Sequence, residues 1–226
     1  MMTNLSIRQQ AIVDASKKFN ITCDVGCDHG YIGVALLKNK KTKFLIASDI
    51  SEPSVKKAEN LLKAENLSHK ASIKVCDGMT NINEHVDQLI IAGMGGKEII
   101  HILSEYKNIK TIKYFVFQPM NELVCFRKFL EKTNLKIIKD FIVFDKKFYH
   151  IITATNNAFK LTDYQSKWGY KTNQRNNDYF LWLNEKKQKL ENIVKKLPKY
   201  NEKSKKFLKC LSEIEKIQKT KGAKKC

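Results

Sequence analysis

The chain has 226 residues, 42% of them apolar and 10% aromatic, which supports one well-buried domain plus a smaller appendage and excludes wholesale disorder. No apolar run approaches the roughly 18 residues of a membrane-spanning helix, and MMTNLSIRQQ lacks a basic-then-apolar secretion signal, so a cytoplasmic protein is expected. The net charge of +19 points to a polyanionic partner, most simply nucleic acid. Only Arg8, Arg127 and Arg175 of the 42 basic residues are arginine, so part of this charge reflects a lysine-rich composition rather than phosphate contacts.

Leu5, Ile12 and Ala15 fall at helical spacing within residues 4–18 and predict a first amphipathic helix. ITCDVG (21–26) predicts a buried strand, YIGVALLKN (31–39) a helix and FLIASD (44–49) a second strand. Ser51 is placed to cap a helix running to about Glu65, with Pro53 tolerated in its first turn. SIKVCD (72–77), QLIIAG (88–93) and KYFVFQ (113–118) continue the strands, with helices over 96–106 and 121–132. Strands alternating with helices imply right-handed crossovers and a mostly parallel sheet.

Residues 135–155 break this rhythm, because two strand-like runs meet at Asp145-Lys146-Lys147 with no helix between them. The sheet is therefore expected to end on an antiparallel hairpin, an α/β order closer to a Rossmann-like methyltransferase than to a dehydrogenase. A domain over 1–158 is followed by a basic appendage over 159–226. Residues 160–226 carry 19 Lys and Arg against 7 Asp and Glu. Tyr179, Leu183, Leu190, Ile193 and Leu197, then Phe207, Leu211, Ile214 and Ile217, predict two antiparallel helices zipped by an apolar seam. They turn at Pro198-Lys199-Tyr200-Asn201, and the last residues, KTKGAKKC, are expected to fray. This hairpin would grip RNA, or its lysines would be merely a solvated face.

The candidate chemistry lies at strand C-termini, where open parallel sheets bind ligands. In DVGCDHGYIG (24–33), Asp28 and His29 stand where a dinucleotide loop wants glycine. A pyrophosphate there would be repelled by Asp28, whereas S-adenosylmethionine, with its sulfonium and ammonium, would be attracted by Asp24 and Asp28. Asp28 would otherwise simply cap the following helix. Asp49, 25 residues after Asp24, is placed to accept ribose hydroxyls, with Ile50 beside it, or is a solvated strand end. In CDGM (76–79), Asp77 would accept an adenine amine while Gly78 and Met79 supply backbone donors and an apolar face; an ordinary Asp-Gly turn is the alternative.

AGMGG (92–96) sets three glycines around Met94, which implies close approach of backbone to something flat. In FQPMN (117–121), Gln118 and Asn121 would face a substrate base, unless the segment is a plain proline turn capped by Asn121. Six scattered cysteines without CxxC spacing indicate neither disulfides nor a metal site.

DVGCDH, IAGMGG and QPMN, in this order, resemble the bacterial tRNA (adenine-22, ring nitrogen 1) methyltransferase family over essentially the whole chain. The resemblance implies a class I S-adenosylmethionine-dependent fold with a coiled-coil appendage, acting on the D-arm side of tRNA; a monomer is expected. It implies donor contacts from Asp24, Gly26, Asp28, His29, Asp49, Ile50, Asp77, Gly78, Met79, Ala92, Gly93 and Met94. Asp28, His29 and Asn121 would serve the reaction, and Gly95, Gly96, Gln118, Pro119, Asn121 and Tyr149 the substrate. Gly30 and Met120 depart from the expected small or polar residues. Two rivals stand beside this reading: a methyltransferase of the same fold with another substrate, and a non-catalytic RNA-binding module.

Overall fold

The computed structural model describes residues 5–170, 175–197 and 202–222. The chain divides into two compact units, Met1–Gln174 and Arg175–Cys226.

The first unit is built on a seven-stranded sheet of order β3-β2-β1-β4-β5-β7-β6. Its strands are β1 (Phe19–Val25), β2 (Thr42–Asp49), β3 (Ala71–Val75), β4 (Gln88–Met94), β5 (Tyr114–Pro119), β6 (Leu135–Asp145) and β7 (Lys147–Asn156). The first five pair in parallel, β7 runs antiparallel to β5, and β6 pairs back on β7, so the expected closing hairpin is present. Each predicted strand lies within two residues of its expected start.

Side-chain alternation explains how both faces of the sheet are covered. On β5, Phe115 and Phe117 enter one apolar cluster with Phe126 and Leu130, while Tyr114 and Val116 enter another with Ile12 and Leu36. Every residue of β5 is buried, as expected for a strand covered on both faces. The helices α1 (Ile7–Ala15), α2 (Tyr31–Lys38), α3 (Glu52–Ala64), α4 (Gly96–Glu105) and α5 (Leu123–Lys132) supply the cover.

The first helix is shorter than the expected 4–18. Ser6 starts it through a capping box with Gln9, and Ser16 ends it in extended conformation; Asn4 lies outside the described residues. Ser51 caps α3 as expected, its Oγ accepting from Ser54 N at 3.4 Å.

Helix α6 (Asp163–Trp168) was not expected, although Thr162 and Gln165 carry a capping-box signature that the sequence displays. It is tied to the sheet by a buried network. Arg127 reaches the Asp140 carboxylate with Nε at 2.8 Å and Nη2 at 3.1 Å, and Nη1 donates to the Ser166 carbonyl at 3.0 Å. Tyr170 N also donates to Asp140, at 2.9 Å. Because these bonds fasten residues 163–170 to the sheet, the first unit runs past the expected boundary at 158 to Gln174.

In the second unit, α7 (Asn177–Lys195) and α8 (Glu202–Gly222) form an antiparallel pair, since Asn184 bonds Gln218 while Lys187 meets Glu215. Tyr179, Leu183, Leu190, Ile214 and Ile217 are buried as the seam predicts. Ile193 is instead 43% exposed, and Val194, four residues after Leu190, is the more covered of the two. At 3.6 residues per turn the apolar stripe drifts, and the 3–4 alternation slips here by one position. The expected turn at 198–201 and the last four residues of the expected frayed end lie outside the described residues.

Candidate active site

The strand order reverses between β1 and β4, and at such a switch point the loops leave in opposite directions and open a cleft. A cavity of about 550 Å³ occupies this place. Its lining gathers Asp24, Gly26, Asp28 and His29 after β1, Asp49 and Ile50 after β2, Asp77 and Gly78 after β3, and Ala92, Gly93 and Met94 at the end of β4. These segments are far apart in sequence, and parallel pairing is what brings their ends together.

Asp24 is 2% exposed, and its Oδ2 has no hydrogen-bond partner among the described residues. Burial, then the neighbouring Asp49 charge, pushes its carboxyl up to about 7. A buried carboxylate oxygen without a donor calls for a cationic or N–H-bearing group from outside. Asp49 holds the loop that faces it: Oδ2 accepts from Asp28 N at 3.0 Å and Oδ1 from Ser51 N at 2.9 Å. Each carboxylate oxygen retains a further lone pair.

Asp28 does not cap α2. Gly30 holds the N-cap position with no side-chain bond, and the Asp28 side chain is 68% exposed. Asp28 itself adopts a left-handed backbone, φ +46°, a geometry that Asp tolerates better than most residues. His29 Nε2 lies 3.8 Å from Asp28 Oδ1, and its ring stacks on Tyr31 at 5.4 Å between centroids. Gly30 has a structural reason: at φ +75° a Cβ would come within 2.9 Å of the Ala58 Cβ on α3.

Met94 packs over the first loop, where a Cβ on Gly26 (φ +72°) would lie 2.2 Å from its Cε. Cys27, also lining the cavity, has its thiol raised well above the ordinary range by burial and by Asp24 and Asp49. It is not a thiolate at neutral pH, so covalent attack from this cysteine is disfavoured.

The other expected residues are placed differently. Met79 is buried in the core and lines an adjoining cavity of about 390 Å³ that shares Asp77 and Gly78 with the first. Gln118 is fully buried, with Oε1 accepting from Arg8 Nη1 at 2.8 Å. Asn121 Oδ1 accepts from Gly96 N at 2.9 Å, and Glu122 Oε2 from Lys97 N at 3.1 Å. The β5–α5 loop thus satisfies the amino end of α4, where anionic acceptors are favoured, and Asn121 does not cap α5. Gly95, Gly96, Gln118, Pro119 and Asn121 are not among the residues that line the cavity, whereas Tyr149 is. The sequence reading missed Arg8, Gln9, Tyr31 and Glu98, which also line it, and placed Met120 only as a departure. Among the described residues no His, Cys, Asp and Glu group could hold a metal ion, and no helix is long and apolar enough to cross a membrane.

A sheet of this order with an acid-rimmed cleft at its switch point defines a class I methyltransferase fold, and a methyltransferase domain family matches residues 5–152. A putative tRNA methyltransferase of Mycoplasma genitalium is 32% identical over 163 residues, 69% of this chain and 72% of that protein. The tRNA (adenine(22)-N(1))-methyltransferase of Bacillus subtilis is 30% identical over 153 residues, 66% of this chain and 64% of that protein. A Streptococcus pneumoniae protein described as a putative tRNA (m1A22) methyltransferase, solved in complex with S-adenosyl-L-methionine, superposes with a TM-score of 0.86 at 22% identity. That match covers 95% of this chain and 99% of that one. The chain belongs to this tRNA methyltransferase family. Its aligned region spans about two-thirds of the length of the curated relatives.

Proposed function

We propose that the protein transfers a methyl group from S-adenosylmethionine to ring nitrogen 1 of adenosine 22 in tRNA. The observation that carries the donor class is the buried, unpartnered Asp24 oxygen in a cleft shared with Asp28, Asp49 and Asp77. Such a wall repels a pyrophosphate and suits a sulfonium and an ammonium. Asp24 and Asp28 hold the cationic part, Asp49 the ribose hydroxyls, and Asp77 and Gly78 the adenine edge. Ile50, 71% exposed at the rim, and Met94 supply apolar contact. The donor, when bound, supplies an electrophilic methyl group.

Adenine nitrogen 1 already has a lone pair, so no residue need remove a proton before attack. The product is cationic, and Asp28, exposed at the mouth beside His29, stabilises the charge that develops there. Asn121 acts by fixing the start of α4 rather than by touching the base. Alignment of the reacting atoms contributes on the order of 7–11 kcal/mol. The target base leaves its stack at a cost of a few kcal/mol, offset by phosphate contacts. The lysine-rich helices α7 and α8 contribute such contacts on the D-arm side, and the enzyme acts in the cytoplasm as a monomer. Isothermal titration at pH 8 is expected to show binding of S-adenosylmethionine and S-adenosylhomocysteine and none of NAD. Tight NAD binding with no response to the methyl donor would refute the assignment.

A further inference from the structure

The wall of the cleft opposite the acids has the reverse polarity. Arg8, on the first turn of α1, lines the cavity with its guanidinium bonded to buried Gln118 and 5.3 Å from the Tyr149 ring centroid. Lys147 Nζ lies 5.2 Å from the same centroid. Asp145 Oδ2 accepts the Arg8 backbone N–H at 3.1 Å, which fastens α1 to the β6–β7 turn and fixes both cations on one support. Among the described residues no carboxylate lies within 4 Å of the Arg8 guanidinium or of Lys147; the Asp145 charge acts on Arg8 from its bond to the backbone. Two cations held on one ring, with Asp145 engaged by the Arg8 backbone and neither charged end in a direct ion pair, are a site for an anion from outside.

The reacting nitrogen is an unsuitable partner, since it becomes positive. We propose that Arg8 and Lys147 clamp a backbone phosphate of the RNA strand that carries the target base, an inference that rests on the RNA-methylating function above. Arg8 supplies a planar fork whose orientation Gln118 fixes, and Lys147, exposed and held over the Tyr149 ring, supplies a point charge. The clamp sets the depth to which the extruded nucleotide enters. The carboxylate of the donor is the other anion within reach of Arg8, and the two are separated by measurement.

Arg8→Ala and Lys147→Ala are compared with the unaltered protein for steady-state methylation of a tRNA transcript and for donor affinity by calorimetry. Arg8→Ala is expected to raise KM for tRNA about tenfold and Lys147→Ala a few-fold. Each should lower the log–log salt slope of tRNA binding by about one, with donor Kd unmoved. Lys147→Ala leaves the Gln118 bond intact, so a folding defect in Arg8→Ala does not remove the test. A weakened donor Kd with unchanged tRNA KM and salt slope would assign Arg8 to the donor carboxylate and overturn the clamp. Unchanged KM and slope in both variants would overturn it too, while leaving the methyl-transfer function intact. An unaltered protein that binds donor but methylates no tRNA would overturn the function and the clamp together.

Discussion

Donor affinity should rise about tenfold for each pH unit up to about 7 and level off above it. The cause is Asp24, whose carboxyl stands near 7 because it is buried beside Asp49. A cationic donor binds the ionised form, so below that value binding must release a proton. Calorimetry in buffers of different ionisation enthalpy reads this release directly. The same group has the opposite effect on the fold measured without donor. Its carboxyl is raised from the unfolded value of 3.8, so the folded chain holds the proton longer. This contribution is full below about pH 4 and is lost as pH rises towards 7, amounting to roughly 4 kcal/mol.

Asp24→Asn should therefore flatten both profiles. At pH 8 it should weaken the donor by about 2 kcal/mol or more, at least about 30-fold, while lifting the thermal midpoint of the protein without donor. Donor affinity independent of pH between 5 and 8 in the unaltered protein would remove Asp24 from the cation site.

The largest loss of stability is expected at Arg127, far from the chemistry. Its guanidinium is 1% exposed and bidentate to Asp140, with a third bond to Ser166 and His150 Nδ1 at 3.4 Å from Nη2. The Arg127 charge holds the Asp140 carboxyl below the usual range against a burial effect that would raise it. Arg127→Ala leaves that carboxylate buried without its partner, at a cost of about 3–5 kcal/mol. Denaturant unfolding should show this as a lower midpoint, and a thermal melt as a fall of about 10 °C or more for a unit of this size. Arg127→Lys should recover little, because one ammonium cannot reproduce three directed bonds. Replacing Arg127 and Asp140 together by apolar residues should cost less than either single change. A loss under 1 kcal/mol for Arg127→Ala would show that water enters and screens the pair.

These residues mark what the sequence displayed and what it hid. The strands were legible because β5 and its neighbours are continuous apolar runs bounded by turns, and the closing hairpin because no helix fits between β6 and β7. The acid-lined side of the cleft was legible because its residues sit at strand ends, where open parallel sheets gather them into one cavity. The opposite wall was not. Arg8 belongs to the first helix and reaches the site only through tertiary packing, and nothing local to IRQQ announces it. Gln118 appeared as a base contact because it ends a strand, yet the alternation of β5 turns it inward to hold Arg8.

The three arginines share a logic that the charge total concealed. Arg8 orients against a carboxamide and a ring, Arg127 forks onto a buried carboxylate, and Arg175 lies 4.9 Å from the Tyr179 ring centroid. In a lysine-rich chain, arginine stands where a planar group is required.

The account is tested most directly by incubating a tRNA transcript with the protein and S-adenosylmethionine, digesting it, and identifying the methylated nucleoside by mass spectrometry with its position mapped. It predicts 1-methyladenosine at position 22 and none in a transcript carrying guanosine there. Methylation at another atom or position, or none with a donor that demonstrably binds, would contradict it.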